Sequence, residues 1–449
     1  MSAAAVPWVG RRLHFVGVGG AGMSGYARAA HALGAEVSGS DGAGGPYVQR
    51  LAAEGVLQAR IGHDAANVPP GTDVELIFSS AVPAENAERR AARERGLRER
   101  PRAELLRELT TLRRTIAVAG THGKTTTASM AVHALRAAGL EPGWLVGGAV
   151  GDDLPNSRWS DGEWLVVEAD ESDRSMLSLS VEIAVLTNVE LDHHATFASL
   201  ADLREAFRAF AARASRAIVV LDRPELLALM PGGPAETASF DVPAPQLDAG
   251  GSRFDWRGQL VRLVVPGAHN ALNAAAALEA ARLAGADVAR AVAGLADFHG
   301  AGRRFQPLGR SARGARVYDD YAHHPTEVAA TLDAARTLAP ERLVAVFQPH
   351  LYSRTRLLCA EFGRALARAD LVVVLDVYAS RERAQDHPGV SGLLIAEAAA
   401  DAAHGRPVYW LPSFDEAAAV LEGLLAAGDV CLVMGAGDVD VLGRRLAAA

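Results

Sequence analysis

Lysine is nearly missing from this sequence. Of 45 basic side chains among 449 residues, 44 are arginine and one, Lys124, is lysine. Cysteine is almost as scarce: Cys359 and Cys431 are the only two, and with no metal-ligand spacing around them they read as reduced core thiols of a cytoplasmic protein. Aromatic residues make up 6%. No apolar run reaches the ~20 residues of a membrane span. A formal charge of -8 lacks the electrostatic footprint of a general nucleic-acid binder and offers no polybasic stretch to an anionic membrane. The opening residues place Arg11 and Arg12 after a short apolar piece, the reverse of the order in a secretory signal. The expectation is a protein with neither nucleic-acid nor membrane partner, and the composition leaves its oligomeric state open.

What is abundant is alanine and short β-branched runs. The runs alternate with alanine-rich helical stretches from end to end, the pattern of parallel sheets covered on both faces by helices. Strands are expected at Leu13 to Val18, Val74 to Ser79, Ile116 to Ala119, Trp164 to Glu168, Ala184 to Asn188, Leu343 to Phe347, Leu371 to Asp376 and Cys431 to Met434. The length suits about three domains of about 150 residues. An arginine and glutamate-rich stretch, Glu88 to Arg114, and a break near Gly300 to Arg304 set their limits at 1–108, 109–300 and 301–449. Pro231 to Gly258 reads as a loop or small hairpin.

Lys124 sits in Gly120-Thr121-His122-Gly123-Lys124-Thr125-Thr126, between the strand ending at Ala119 and a helical pattern from Ala128. Strand, glycine loop and helix together aim backbone N–H groups and a helix N-terminus at phosphate oxygens. Lys124 would reach the β and γ phosphates and the Thr125 hydroxyl would help hold Mg2+. The strict spacing asks for glycine where Val118 stands, so the loop is a variant, and an ordinary glycine turn is the alternative. The lone lysine weighs against that turn: a compact ammonium on a flexible stem is not replaced by a forked guanidinium at a packed triphosphate.

A second glycine loop, Gly17-Val-Gly19-Gly20-Ala-Gly22-Met23-Ser24-Gly25, follows the first strand, and Asp41 follows the second at ribose-partner spacing. Taken alone it suggests NAD, yet such a loop would cradle any diphosphate. Ser79 and Ser80 end a later strand and add hydroxyls at the same sheet edge.

Further polar groups gather at strand ends. Glu168 closes one strand, with Glu171 and Asp173 close behind, and Asn188-Val-Glu190-Leu-Asp192-His193-His194 follows the next. Glu168 and His193 are plausible Mg2+ ligands, although Mg2+ prefers oxygen, and no further Cys or His supports a zinc site. Asn270 and Asn273 open a helix. Their amides suit an adenine edge or simply a helix cap. Past Arg303 and Arg304, the run Tyr318-Asp319-Asp320-Tyr321-Ala-His323-His324-Pro325-Thr326-Glu327 packs titratable groups too densely for an ordinary loop, although Pro325 and Glu327 also fit a helix start. His350 and Arg354 follow the next strand, and the arginine there is suited to phosphate or carboxylate.

Taken in order, Gly17 to Gly25, Gly120 to Thr126, Glu168-Ala-Asp-Glu-Ser-Asp173, His269-Asn-x-x-Asn273, Asp319 to Glu327 and Gln348-Pro-His350 resemble the Mur ligases. The resemblance spans essentially the whole chain and lies nearest the alanine-adding branch. It implies an α/β fold of three domains: a Rossmann-like N-terminal domain for a UDP sugar, a central P-loop ATPase domain with a mainly parallel sheet, and a Rossmann-like C-terminal domain. The implied reaction uses ATP and Mg2+. It phosphorylates the lactyl carboxylate of UDP-N-acetylmuramate, and L-alanine then attacks the acyl phosphate. On this pattern Gly17, Gly19, Gly20, Gly22, Met23, Ser24, Asp41, Ser79 and Ser80 serve the UDP sugar, and Gly120 to Thr126 with Asn270, Asn273 and Arg304 serve ATP. Thr125, Glu168 and His193 would hold the metal, and Lys124, Asp320, His323 and Arg354 would act at the reacting centre, with His323 as base. Two departures stand out. Many relatives carry arginine after Gln-Pro-His, where this chain has Leu351, and the carbamylated lysine of sister enzymes has no counterpart. The rival functions are a ligase joining the same UDP sugar to a ready-made tripeptide, and a regulator that binds UDP sugars without ligating them.

Overall fold

The structure is a computed structural model and describes residues 7–151, 154–194 and 196–448. Two compact units emerge, one from the chain up to Asp241 with Asn273–Gly294, the other from Val242–Leu272 with Leu295 onward.

The first unit carries two sheets. In one, β1 (Arg12–Val16), β2 (Glu36–Asp41), β3 (Arg60–Ile61), β4 (Val74–Phe78) and β5 (Arg98–Pro101) lie parallel in the order β3-β2-β1-β4-β5. Leu13, Phe15 and Val16 are buried, as a central strand covered on both faces requires. The other holds β6 (Arg114–Ala119), β7 (Gly143–Leu145), β8 (Ser157–Arg158), β9 (Trp164–Glu168), β10 (Val181–Leu186), β11 (Ala214–Leu221) and β12 (Glu236–Phe240). Their order is β12-β11-β10-β6-β9-β7-β8, parallel except where β8 pairs with β7.

The second unit contains an antiparallel meander, β13 (Gln246–Asp248), β14 (Gly251–Trp256) and β15 (Gln259–Leu263). Its main sheet has β16 (Gln306–Arg310), β17 (Arg316–Asp320), β18 (Arg342–Phe347), β19 (Leu371–Val374), β20 (Val408–Trp410) and β21 (Asp429–Met434), in the order β16-β17-β21-β18-β19-β20. Only β16 runs antiparallel. Apolar side chains pack on both faces of this sheet.

The α/β class with mainly parallel sheets is as the sequence reads, and β9 has its expected limits. Elsewhere the ends move by one to three residues: five strands begin earlier, mostly where a polar residue carries the ladder ahead of the apolar run, as at Arg12, Arg114, Arg342 and Asp429, and four end earlier, where the chain already turns into the loop at the carboxyl edge. The stretch Pro231 to Gly258 holds more than a hairpin: it supplies edge strand β12 and most of the meander. The arginine and glutamate-rich stretch is not a bare linker. It forms the helix Ala87–Glu94, β5 and the helix Arg102–Thr111. Among the described residues no helix is long and apolar enough to cross a membrane.

In each sheet of the first unit the strand order reverses beside one strand, and connections to opposite sides of it open a crevice at its carboxyl end. These strands are β1 and β6. The glycine loops follow β1 and β6 directly.

Candidate active site

Between β6 and the helix Lys124–Ala137 the chain turns through Gly120 at φ 136° and Gly123 at φ 79°. Both are conformations that L side chains rarely adopt. Crowding adds a second reason for glycine: a Cβ at Gly120 would overlap Thr187 Oγ1, and one at Gly123 would lie 2.5 Å from Asn273 Oδ1. The segment after β10 braces the loop. Asn188 Oδ1 accepts from the His122 amide at 2.9 Å, Thr187 Oγ1 donates to the His122 carbonyl at 2.7 Å, and Thr121 Oγ1 donates to the Glu190 carbonyl at 2.8 Å. The His122 ring lies 3.0 Å from Glu190 Oε2, so the side chain is turned to that carboxylate. Asn273 accepts from Thr127 Oγ1 at 3.2 Å and packs beneath the loop.

The Lys124 ammonium is caged. Nζ donates to the Gly120 carbonyl at 2.7 Å, the Thr121 carbonyl at 3.2 Å and Glu171 Oε1 at 3.0 Å. Glu171 Oε2 is also 2.9 Å away but adds charge rather than a further hydrogen bond. Burial alone would lower the lysine pKa, yet Glu171, Asp170 and Glu168 hold it above its ordinary value, so the group remains an ammonium. The three acids that the sequence leaves undivided separate here by role. Glu168 accepts from Thr125 Oγ1 at 3.1 Å and from the Gly147 amide at 2.7 Å. Glu171 faces Lys124 and lies 3.3 Å from His193 Nε2. Asp173 is occupied by Arg102 at 2.7 Å. A hydroxyl and a carboxylate at Thr125 and Glu168 form a hard-oxygen pair at a spacing that suits adjacent ligands of Mg2+.

The first glycine loop is drawn tight by Asp41, whose Oδ2 accepts from the Gly19 amide at 2.7 Å and whose Oδ1 accepts from Ala43 at 3.1 Å. Asp41 therefore shapes the loop as much as it faces any ribose. Gly17 takes φ 82° and Gly20 caps the helix Ala21–Ala32 without a side chain, leaving the helix N-terminus open to an anion. Met23 and Ser24, which the resemblance assigns to the UDP sugar, are both buried; the Ser24 hydroxyl donates to the Ala21 carbonyl and its amide to the Gly20 carbonyl, each at 2.9 Å. Ser79 Oγ accepts from the Ala81 amide at 3.3 Å, and Ser80 is exposed.

Gly22 leads into a cavity lined also by Tyr26, Arg102, Gly147, Glu168 and Asp170. A Cβ on Gly22 would stand 3.3 Å from Arg102 Nη1. Arg102 also meets Asp170 at 3.2 Å. Burial pushes the Asp170 carboxyl up, but Lys124 and Arg102 overcome it and hold the pKa at about 2. Burial raises Tyr26 to about 12 despite Arg102. One cavity thus joins the first glycine loop to the carboxylate beside Thr125.

In the second unit, Asp320 ends β17 and accepts from the amides of Phe305 and Ala322, each at 2.7 Å. Burial lifts its pKa to about 6 against Arg304 and those two N–H groups. Arg304 lies over the Tyr321 ring at 5.0 Å and 3.9 Å from Glu327. His323 Nδ1 is 3.0 Å from the Tyr321 carbonyl. Arg354 is buried, with Nη1 3.1 Å from His350 Nδ1. Asn270 is no cap: it lies within the helix Ala268–Leu283 and its amide donates to the Pro266 carbonyl at 2.7 Å. Burial brings the neighbouring His269 down to about 4, so its ring is neutral.

Residues 12–114 match the Mur ligase family catalytic domain, residues 118–281 the Mur ligase middle domain, and residues 303–437 the Mur ligase glutamate ligase domain. The chain belongs to the Mur ligase family. It is 44% identical to the UDP-N-acetylmuramate--L-alanine ligase of Rubrobacter xylanophilus, over 97% of this chain and 99% of that one. The enzyme of the same name from Nocardia farcinica is 42% identical over 97% of this chain and 94% of its own. Among solved structures, the UDP-N-acetylmuramate-alanine ligase of Thermotoga maritima superposes with a TM-score of 0.82 at 28% identity, covering 97% of this chain and 98% of that one. A murein peptide ligase from Psychrobacter arcticus reaches 0.73 at 25% identity, with coverage of 97% and 98%.

Sequence reasoning missed several groups in this Mur ligase. Arg102 and Tyr26 escaped because one arginine among 44 and one tyrosine on an alanine-rich helix carry no spacing signal. Glu327 was read only as a helix start, and Glu171 only as a rival to Glu168. A dense titratable run was the one available signal for Glu327.

Proposed function

We propose that this Mur ligase joins L-alanine to the lactyl carboxylate of UDP-N-acetylmuramate, using ATP and passing through an acyl phosphate. The observation that carries the reading is the caged Lys124 beside Thr125 and Glu168, in a chain that matches alanine ligases from end to end. The assignment is to three domains, 1–108 for the UDP sugar, 109–300 for ATP and 301–449 for the incoming amino acid, and to a cytoplasmic setting.

The roles carry over from the family pattern, residue by residue. Gly17, Gly19, Gly20 and Gly22 build the turn that brings the UDP diphosphate to the N-terminus of the helix Ala21–Ala32, with Asp41, Ser79 and Ser80 at the same edge. The loop Gly120 to Thr126 receives the ATP phosphates through the amides that open the helix Lys124–Ala137 and through the Lys124 ammonium, and Asn270, Asn273 and Arg304 lie along the nucleoside. Thr125, Glu168 and His193 would hold Mg2+, which when bound neutralises charge on the transferring phosphoryl group. Lys124 meets the same charge from the protein side and stays protonated to do so. Asp320 orients groups near the reacting atoms, His323 takes a proton from the alanine ammonium, and Arg354 steadies the acyl phosphate or the amino-acid carboxylate.

The test is phosphate release from MgATP by the purified protein. Release that requires both UDP-N-acetylmuramate and L-alanine is expected. Equal or faster release with the tripeptide L-alanyl-γ-D-glutamyl-meso-diaminopimelate would move the assignment to a peptide ligase. No release with either acceptor would point to a binding protein without ligase activity.

A further inference from the structure

The loop after β17 fixes the state of one imidazole. The His323 backbone N–H donates to Glu327 Oε2 at 3.0 Å, while its ring Nδ1 lies 3.0 Å from the Tyr321 carbonyl and 3.2 Å from the same Glu327 oxygen. A carbonyl oxygen can only accept, so the ring proton resides on Nδ1 and the basic lone pair on Nε2. Glu327 stands in the first turn of the helix Pro325–Arg336, whose N-cap is His324, so the carboxylate is delivered by a rigid element. Aromatic edges hold the ring in place: Tyr321 at 5.4 Å and His350 at 5.9 Å, both nearly perpendicular.

The neighbouring histidine is fixed the opposite way. Arg354 has donors and no acceptor, so His350 Nδ1 accepts from it at 3.1 Å and a neutral His350 carries its proton on Nε2. His350 also stacks on Tyr378 at 5.9 Å. The charged and titratable groups around the His323 and Glu327 pair include Tyr321 and His324 from the same loop, Glu327 from the helix, His350 with Arg354 from the segment after β18, Arg304 at 3.9 Å from Glu327, and the buried Asp320 and His269, both of which feel the Glu327 charge.

We propose that Glu327 is a positioning residue for amide formation: with the Tyr321 carbonyl it keeps the His323 proton on Nδ1, presents Nε2 as the base, and stabilises the imidazolium that results. The inference rests on the reading of His323 as base. In the step, Nε2 takes one proton from the α-ammonium of L-alanine. The freed amine forms the C–N bond as the bond from the acyl carbon to the phosphate oxygen breaks, and the phosphate leaves with the second proton. Positive charge then lies on the ring beside the Glu327 carboxylate, the arrangement in which a carboxylate favours imidazolium most.

Two half-reactions separate positioning from general damage. Hydroxylamine traps the acyl phosphate as a hydroxamate without L-alanine, and amide formation is followed with L-alanine. For Glu327→Gln, hydroxamate formation is expected within about twofold of the parent, while kcat for amide formation falls about tenfold to hundredfold with little change in KM for alanine. The acidic limb of the pH profile moves to lower pH, because loss of the carboxylate lowers the affinity of the ring for its second proton. Glu327→Asp restores part of the rate. In 15N-histidine protein, the resonance that His323→Ala removes should show the Nδ1–H tautomer. An Nε2–H tautomer there, an unmoved limb with an unchanged amide rate, or equal loss of both half-reactions would overturn the proposal. Full amide formation by His323→Ala would overturn it together with the base reading. Should the parent itself make no amide from alanine, the ligase assignment fails, and the 15N readout still decides the tautomer.

Discussion

Lys124 is the residue on which sequence and structure converge. Its ammonium reaches two loop carbonyls and Glu171 from one point, and a planar guanidinium cannot place a single donor centre there. Lys124→Arg is therefore expected to keep its far-UV circular dichroism and its melting temperature within a few degrees, yet to lose phosphate release by roughly a hundredfold or more, the scale of removing one donor aimed at developing charge. Turnover within a fewfold of the parent would show that the lone lysine is an accident of composition. The location of this residue was legible because loop, strand and helix are contiguous in the chain. Its counter-ion was not: Glu171 and Asp173 lie two residues apart, and nothing in the letters says that one turns to Lys124 and the other to Arg102.

At the level of elements, one buried carboxylate ties several pieces of the first sheet together. Glu88, in the helix Ala87–Glu94, is fully buried and receives His14 of β1 at 2.7 Å, Ser40 of β2 at 2.6 Å and His63 at 2.8 Å. Burial raises its pKa, but the contacts from His14, Ser40 and His63 outweigh it and leave the carboxyl below its ordinary 4.5. A depressed folded pKa means that the ionised form stabilises the fold above the unfolded value, and that this contribution fades as pH falls through the folded pKa. Urea midpoints should thus drop between pH 5 and pH 3, and Glu88→Gln should flatten that dependence while costing roughly 2–4 kcal/mol at pH 7. An equal pH slope in both proteins would remove Glu88 as its source. The sequence concealed this cluster for the same reason that it concealed β5: Arg98-Glu-Arg-Pro101 and the helix before it look like a solvated charge run. Only pairing with β4 and contacts to residues some 20 to 75 positions away bury Glu88 and Arg100 within it. Strands such as Trp164–Glu168 were legible because they are buried on both faces and write that burial as an unbroken apolar run.

For the molecule as a whole, the consequence of 44 arginines to one lysine is chemical selectivity. A lysine-directed acylating reagent has a single side chain to modify, so ε-amine label and loss of activity can be compared one to one. Two properties of the site set the rate. The Lys124 side chain is 13% exposed, and its pKa is held above the ordinary value, so the reactive neutral amine is rare at pH 8 and labelling should be slow beside a free lysine peptide. Bound nucleotide and Mg2+ would cover the loop and slow it further. The expected result is inactivation that tracks one ε-label per chain by mass spectrometry, with MgATP protecting and UDP-N-acetylmuramate alone protecting less, since its glycine loop is a different one. Activity that survives full labelling, or inactivation that runs ahead of it, would separate Lys124 from the phosphoryl-transfer step. Lys124→Arg supplies the control, because it should take up no ε-label under any condition.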